Sequence, residues 1–171
     1  AVTVSQPLIF ALISLVVGLT MATTTLVGQY SGAGQEDLVR RTIGTSLTLL
    51  AVLGAVMGLV GVVFRYPLLR LIATPEEIIH DSAAYLGIFM GGILVLFLYN
   101  TLGAILRGLG DANTPLIALA VATGLNILLD GVFILGLGPV PQMGVPGVAI
   151  ATVIAQGVSA VWLLRWMLRK S

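Results

Sequence analysis

The chain has 171 residues, of which 58% are apolar and 9% charged, with a net charge of +1 and a mean hydropathy of +1.10. So few ionised residues cannot cover a water-facing surface, and so much apolar character excludes disorder. The lack of cysteine excludes a disulfide scaffold or a thiolate metal site, and the balanced charge gives no case for nucleic acid. Lipid is the solvent that suits this composition.

Charged residues fall in clusters at 36–41, 65–81, 107–111 and 165–170, with Asp130 alone between them. The charge-free runs are 1–35, 42–64, 82–106, 112–129 and 131–164. A spanning helix needs about 20 mainly apolar residues, and open strands would leave backbone groups unpaired in hydrocarbon. The pattern therefore predicts an all-α integral membrane protein, a polytopic bundle of five spans near 7–28, 43–64, 84–106, 115–136 and 146–166.

The first span leads to Gln29 and the first charge cluster. The second carries Gly54, Gly58 and Gly61, a spacing that lets helix backbones approach closely. Pro67 should break the helix that leaves the membrane at Phe64–Tyr66. Thr74-Pro75-Glu76-Glu77 then reads as a capping box opening an interfacial turn with His80 and Asp81. The third span repeats the small-residue spacing at Gly87 and Gly91, beside Gly92. Its Tyr85 and Asn100 lie roughly four helical turns apart on about one face. Thr114-Pro115 reads as an N-cap and first helical position for the fourth span. The stretch Gly136–Pro146 suits a turn. The fifth span ends with Trp162 and Trp166, which read as interfacial belt residues beside Arg165, Arg169 and Lys170.

Lysine and arginine in the short loops set orientation. Six (Arg40, Arg41, Arg107, Arg165, Arg169, Lys170) fall on one side and two (Arg65, Arg70) on the other. The first side is expected to be cytoplasmic, in a prokaryotic inner (plasma) membrane, with the N-terminus outside and the C-terminus inside. A start outside without a cleavable signal suggests that an upstream span precedes this stretch.

Asp130 is the informative residue. An ionised carboxylate deep in a spanning helix costs about 2.5–3.5 kcal/mol on insertion scales. Such a group faces a partner, a watery cavity or a proton. Asn126 and Thr123 precede it by four and seven residues, making a polar stripe of carboxylate, amide and hydroxyl. Hydrogen-bond glue between helices explains Thr123 well enough, but glue needs no charge. Asp130 is therefore expected to exchange a proton or a bound cation as its cavity opens to either side. Gln29, Gln156 and Thr152 read more simply as helix contacts, and His80 as a solvated loop residue.

The run from Tyr99 to Pro115, with its core Arg107-Gly108-Leu109-Gly110-Asp111-Ala112-Asn113-Thr114-Pro115, resembles the loop between helices four and five of multidrug and toxic compound extrusion (MATE) transporters. Leu125–Asp130, Gly136–Pro139 and Gly144–Thr152 follow at the family's distances. Thr25–Gly34 is similar to the end of its helix two. The five spans would then match helices two to six of an N-terminal lobe, with residues 1–171 a partial lobe lacking its first helix and the second lobe.

This resemblance implies a transporter and not an enzyme: a proton- or sodium-coupled antiporter that exports small, mostly cationic organic compounds by alternating access, without a cofactor. It implies a cation or substrate cavity formed by Asp130, Asn126 and Thr152, with Asn126 orienting the carboxylate and Asn100 and Tyr85 lining the same space. A sodium ion would sit at Asp130, Asn126 and Thr152. The expected partners are the substrates, the bilayer, and the missing first helix and second lobe. A lipid-linked saccharide flippase would need cations deep in the spans to hold a pyrophosphate, and none is there. An intramembrane hydrolase would need a nucleophile–base pair in lipid, and a structural subunit would leave Asp130 without a purpose.

Overall fold

The computed structural model describes residues 2–136 and 142–170, and within them the chain folds into seven α-helices and one 3-10 turn, with no strand. The helices are α1 (Val2–Gly32), α2 (Glu36–Val63), α3 (Arg65–Leu71), α4 (Ile79–Gly91), α5 (Ile93–Gly108), α6 (Asn113–Leu135) and α7 (Val145–Lys170), with the 3-10 turn at Glu76–Ile78 between α3 and α4. Four of the expected spans correspond to α1, α2, α6 and α7, each long and apolar enough to cross a membrane.

The third differs. It is broken at Gly92 into α4 and α5, which meet at a bend of 45°. Two successive glycines weaken the helix there, a recognised cause of sharp kinks. The Gly92 carbonyl accepts from Val95 at 3.0 Å, tightening the first turn of α5. The valine side chain of Val153 on α7 lies directly against Gly92, in space that a β-carbon would occupy.

This broken helix is the pillar of the lobe. Leu86, Phe97, Leu102, Ala104 and Ile105 are fully enclosed, and α1, α2 and α7 pack around them. Outward faces are apolar: Leu59, Leu116, Ile127 and Leu128 project away from the bundle. That is the inverse of a soluble surface, and it suits hydrocarbon, where extra burial gains nothing and packing decides.

The α2 glycines behave as their spacing predicts. A β-carbon at Gly58 would stand 2.9 Å from the Met90 carbonyl oxygen, and one at Gly54 would be 3.2 Å from the Leu94 Cα. At Gly61 it would overlap the Met90 side chain. The Gly87/Gly91 pair does not pack helix against helix. Gly87 faces the Arg65 side chain and Gly91 faces open space, while Gly92 takes the contact with α7.

Hydroxyls add cross-links. Thr23 Oγ1 donates to Ser46 Oγ at 3.0 Å between α1 and α2, and Thr24 Oγ1 donates to the Ala104 carbonyl at 3.1 Å between α1 and α5. Ser159 Oγ donates to the Ala118 carbonyl at 3.2 Å, joining α7 to α6.

Two start signals work differently from their sequence reading. The Thr74 N–H donates to the Leu69 carbonyl at 3.1 Å, finishing α3 behind Ala73, whose φ is +54°. Thr74 therefore belongs to the helix it closes, its hydroxyl has no partner, and no capping box forms. The break before α3 falls at Phe64, with Pro67 inside the first turn of α3, where a missing N–H is harmless. At α6 the cap position is Ala112, and the carboxylate of the preceding Asp111 accepts the Thr114 N–H at 3.0 Å and its hydroxyl at 2.8 Å. Pro115 is thus the third residue of α6, not the first. Gly136 ends α6 with a φ of +68°, a left-handed turn that glycine adopts without strain. Part of the turn expected at Gly136–Pro146, residues 137–141, lies outside the described residues.

Enlarging Gly58 tests this packing. Gly58→Ala drives a β-carbon against backbone, which cannot swing aside, and should destabilise the protein by about 1–3 kcal/mol. Gly44→Ala, where nothing lies within 4 Å, should cost nothing measurable. Thermal melting of both variants of the full-length protein in detergent separates the two.

Candidate functional site

The polar residues of the spans collect along the face where α5, α6 and α7 meet. Asn126 Nδ2 donates to Thr152 Oγ1 at 3.2 Å, and the Thr152 hydroxyl donates to the Val148 carbonyl of its own helix at 3.0 Å. Both residues line a pocket of about 140 Å³, together with Thr123, Gln156 and Tyr99. Thr152 is held opposite Asn126 because its neighbour Val153 is seated on Gly92.

Asp130 stands one turn further along α6. It lies five residues before the helix ends at Leu135, so about 8 Å from that end rather than midway along it. Its Oδ1 is shielded from solvent and has no hydrogen-bond partner among the described residues. The expected orienting bond from Asn126 is absent among the described residues, because that amide is turned to Thr152. The Tyr85 ring is buried, stacked on Phe89 at 6.2 Å between centroids, and the Asp130 charge reaches its hydroxyl electrostatically.

Asn100 does not share this space. Its Nδ2 donates to the Leu96 carbonyl at 2.8 Å, and its side chain borders two other cavities, both with Arg107. The 45° bend between Tyr85 and Asn100 removes the common face that a straight helix would give them. Tyr99 takes the place expected for Asn100 in the Asn126–Thr152 pocket. Neighbours on a helix point about 100° apart, so only the rotation of α5 in the bundle decides which of the two faces the pocket.

Trp166 is more than a belt residue. Its Nε1 donates to Asp111 Oδ2 at 3.3 Å, so the carboxylate that accepts the Thr114 N–H also ties the α5–α6 loop to α7. His80 is exposed, with Nδ1 at 3.4 Å from the Tyr66 hydroxyl.

Chemically, α6 presents the Asp130 carboxylate one turn beyond an amide–hydroxyl pair, whose pocket is walled on one side by the Tyr99 ring. No group of three or more histidine, aspartate or glutamate side chains that could hold a metal occurs among the described residues.

Comparison with known proteins gives a consistent result. The family model MatE matches residues 1–132. The chain is 40% identical over 164 residues to the probable multidrug resistance protein YoeA of Bacillus subtilis, covering 96% of this chain and 35% of the relative. It is 35% identical over 169 residues to YpnP of the same organism, covering 99% and 37%. It thus spans about a third of the length of these relatives. Among solved structures it is similar to an inward-facing multidrug resistance MATE transporter with a TM-score of 0.87, and to an outward-facing one with 0.89. Identity is 28% in both, over 95% and 99% of this chain and 36% and 37% of those chains.

The α6–α7 bond offers a direct check of the geometry. Thr152→Val keeps the shape but removes the acceptor for Asn126, and should cost about 0.6–1.7 kcal/mol. Thr152→Ser should restore most of it. The readout is the melting temperature of the detergent-solubilised full-length protein.

Proposed function

The chain belongs to the MatE family of membrane transporters, and on that premise we propose that it forms most of the N-terminal lobe of a cation-coupled multidrug exporter. In this reading the lobe moves as a body against a second lobe in a prokaryotic plasma membrane. The ends bearing Arg40, Arg41, Arg107, Arg165 and Arg169 face the cytoplasm, following the excess of positive charge there. The similar TM-scores against inward- and outward-facing relatives support a lobe whose internal packing is common to both states.

One observation carries the proposal: in the half-buried Asp130 side chain Oδ1 is covered from solvent, and no donor among the described residues faces it. A carboxylate that served only to bind helices would be paired. An unpaired one takes its partner from outside the fold, a proton or a sodium ion. Asn126, one turn earlier on α6, and its partner Thr152 supply further oxygens for a desolvated cation. An ion that binds one state more tightly shifts the lobe towards that state, by no more than its differential affinity. A cationic substrate competing for the same carboxylate then couples its exit to the entry of the ion. Asn100, one cavity away, lines the route rather than the ion position.

Asp130→Asn removes the charge and preserves the shape. In the full-length protein reconstituted in vesicles, ion-driven export of a cationic dye should fall by at least about tenfold, a factor equal to ~1.4 kcal/mol, with insertion unchanged. Export at the wild-type rate would overturn the reading. Varying sodium at fixed pH in the same vesicles distinguishes a sodium-coupled protein from a proton-coupled one.

A further inference from the structure

The groove continues past the proposed ion position, and its character reverses. Tyr99 and Leu119 line both the Asn126–Thr152 pocket and a second cavity of about 260 Å³ towards the α5–α6 loop. That second cavity also holds Asn100, Gly103 and Arg107, and a third of about 320 Å³ opens from Asn100 and Arg107 towards α1. Asn100, Gly103 and Arg107 recur at three- and four-residue intervals and so share one face of α5.

Gly103 has a specific part in this. A β-carbon there would stand 3.2 Å from an Arg107 guanidinium nitrogen. Without a side chain at that position, the arginine folds back along its own helix into the cavity instead of extending straight from the helix end. Its charge reaches the Tyr99 hydroxyl. Among the described residues Arg107 pairs with no carboxylate, and the Tyr99 hydroxyl makes no hydrogen bond. Asn100 Nδ2 uses one hydrogen on Leu96 and keeps the other. No acidic side chain lines either cavity. A guanidinium, a phenol and an amide hydrogen, all free to donate, therefore border the same space, with Pro115, Leu116 and Leu163 as an apolar wall.

We propose that the Tyr99–Asn100–Arg107 cavity is a second binding position, for an anionic group (a carboxylate or phosphate) on a small organic ligand. A planar guanidinium matches such a group in bidentate fashion, and a flanking hydroxyl adds a third bond. The position is separate from Asp130: Pro115 and Asp130 are fifteen residues apart on α6, about 22 Å along its axis. This assignment rests on the transport reading for its purpose, but its test reads binding alone, so each can fail without the other.

The probes are rhodamine B, which carries a free carboxylate, and its methyl ester, which is otherwise the same cationic dye. Equilibrium binding of each to the purified full-length protein in uncharged detergent should favour the acid by about tenfold, as expected for a charge-assisted contact of about 1.4 kcal/mol. Arg107→Ala should abolish that preference and leave the ester unchanged. Arg107→Lys should keep part of it, and Tyr99→Phe should reduce it. Arg70→Ala, which removes an exposed charge paired with Glu76 at 3.8 Å, should keep it whole. No preference in the wild type, or a preference that survives Arg107→Ala, overturns the proposal. In nanodiscs, displacement of the acid by phosphatidylglycerol would assign the anion to a lipid headgroup, and resistance to displacement would assign it to the organic ligand. The first result overturns the organic-ligand assignment, and the second supports it.

Discussion

The lobe depends on how closely α2 and α7 can approach the broken helix α4–α5. In lipid, apolar side chains gain nothing by leaving the solvent, so helices are held by dispersion contacts and a few polar bonds, and both need short distances. Gly54, Gly58 and Gly61 supply them on one side of the pillar, where backbone and the Met90 side chain fill the space of absent β-carbons. Gly92 supplies them on the other by receiving Val153. The second contact has a functional consequence. Seating Val153 fixes the register of α7, and that register brings the adjacent Thr152 to the Asn126 amide.

The break at Gly92 also sorts the polar residues. A straight helix would turn Tyr85 and Asn100 towards one cavity. With a 45° bend, Tyr85 remains near Asp130 and Asn100 joins Arg107 near the loop. Tyr99 stands between, lining a cavity on either side. Among the described residues, a carboxylate without a partner thus stands near one end of α6 and a guanidinium without a carboxylate partner near the other. In a low-dielectric surrounding the two would attract strongly if they met, and the length of α6 keeps them apart.

The loop joining α5 and α6 is tied by a single carboxylate. Asp111 accepts from the Thr114 backbone and hydroxyl and from the Trp166 indole, so it both starts α6 and anchors it to the last turns of α7. The glycines around it make this possible: Gly108 lies so close to Val27 and Thr24 of α1 that a β-carbon would not fit, and Gly110 turns with a φ of +87°.

Much of this was legible in the residues. Charge-free runs of membrane-spanning length pointed to the four long apolar helices and to the bent pair α4–α5, because a bilayer admits only long apolar helices with self-satisfied backbones. The α2 glycine spacing identified a packing face, the isolated Asp130 identified the candidate site, and the run from Tyr99 to Pro115 identified the family. What the sequence left open was everything that depends on rotation and register about a helix axis. It offered Gly87 and Gly91 as a packing pair where Gly92 makes the contact, Asn100 where Tyr99 enters the pocket, and an Asn126 that serves Asp130 where it serves Thr152. Periodicity specifies which residues share a face but not which neighbour that face meets. In hydrocarbon that choice falls to short contacts between elements far apart in the chain, and only the tertiary structure brings those together.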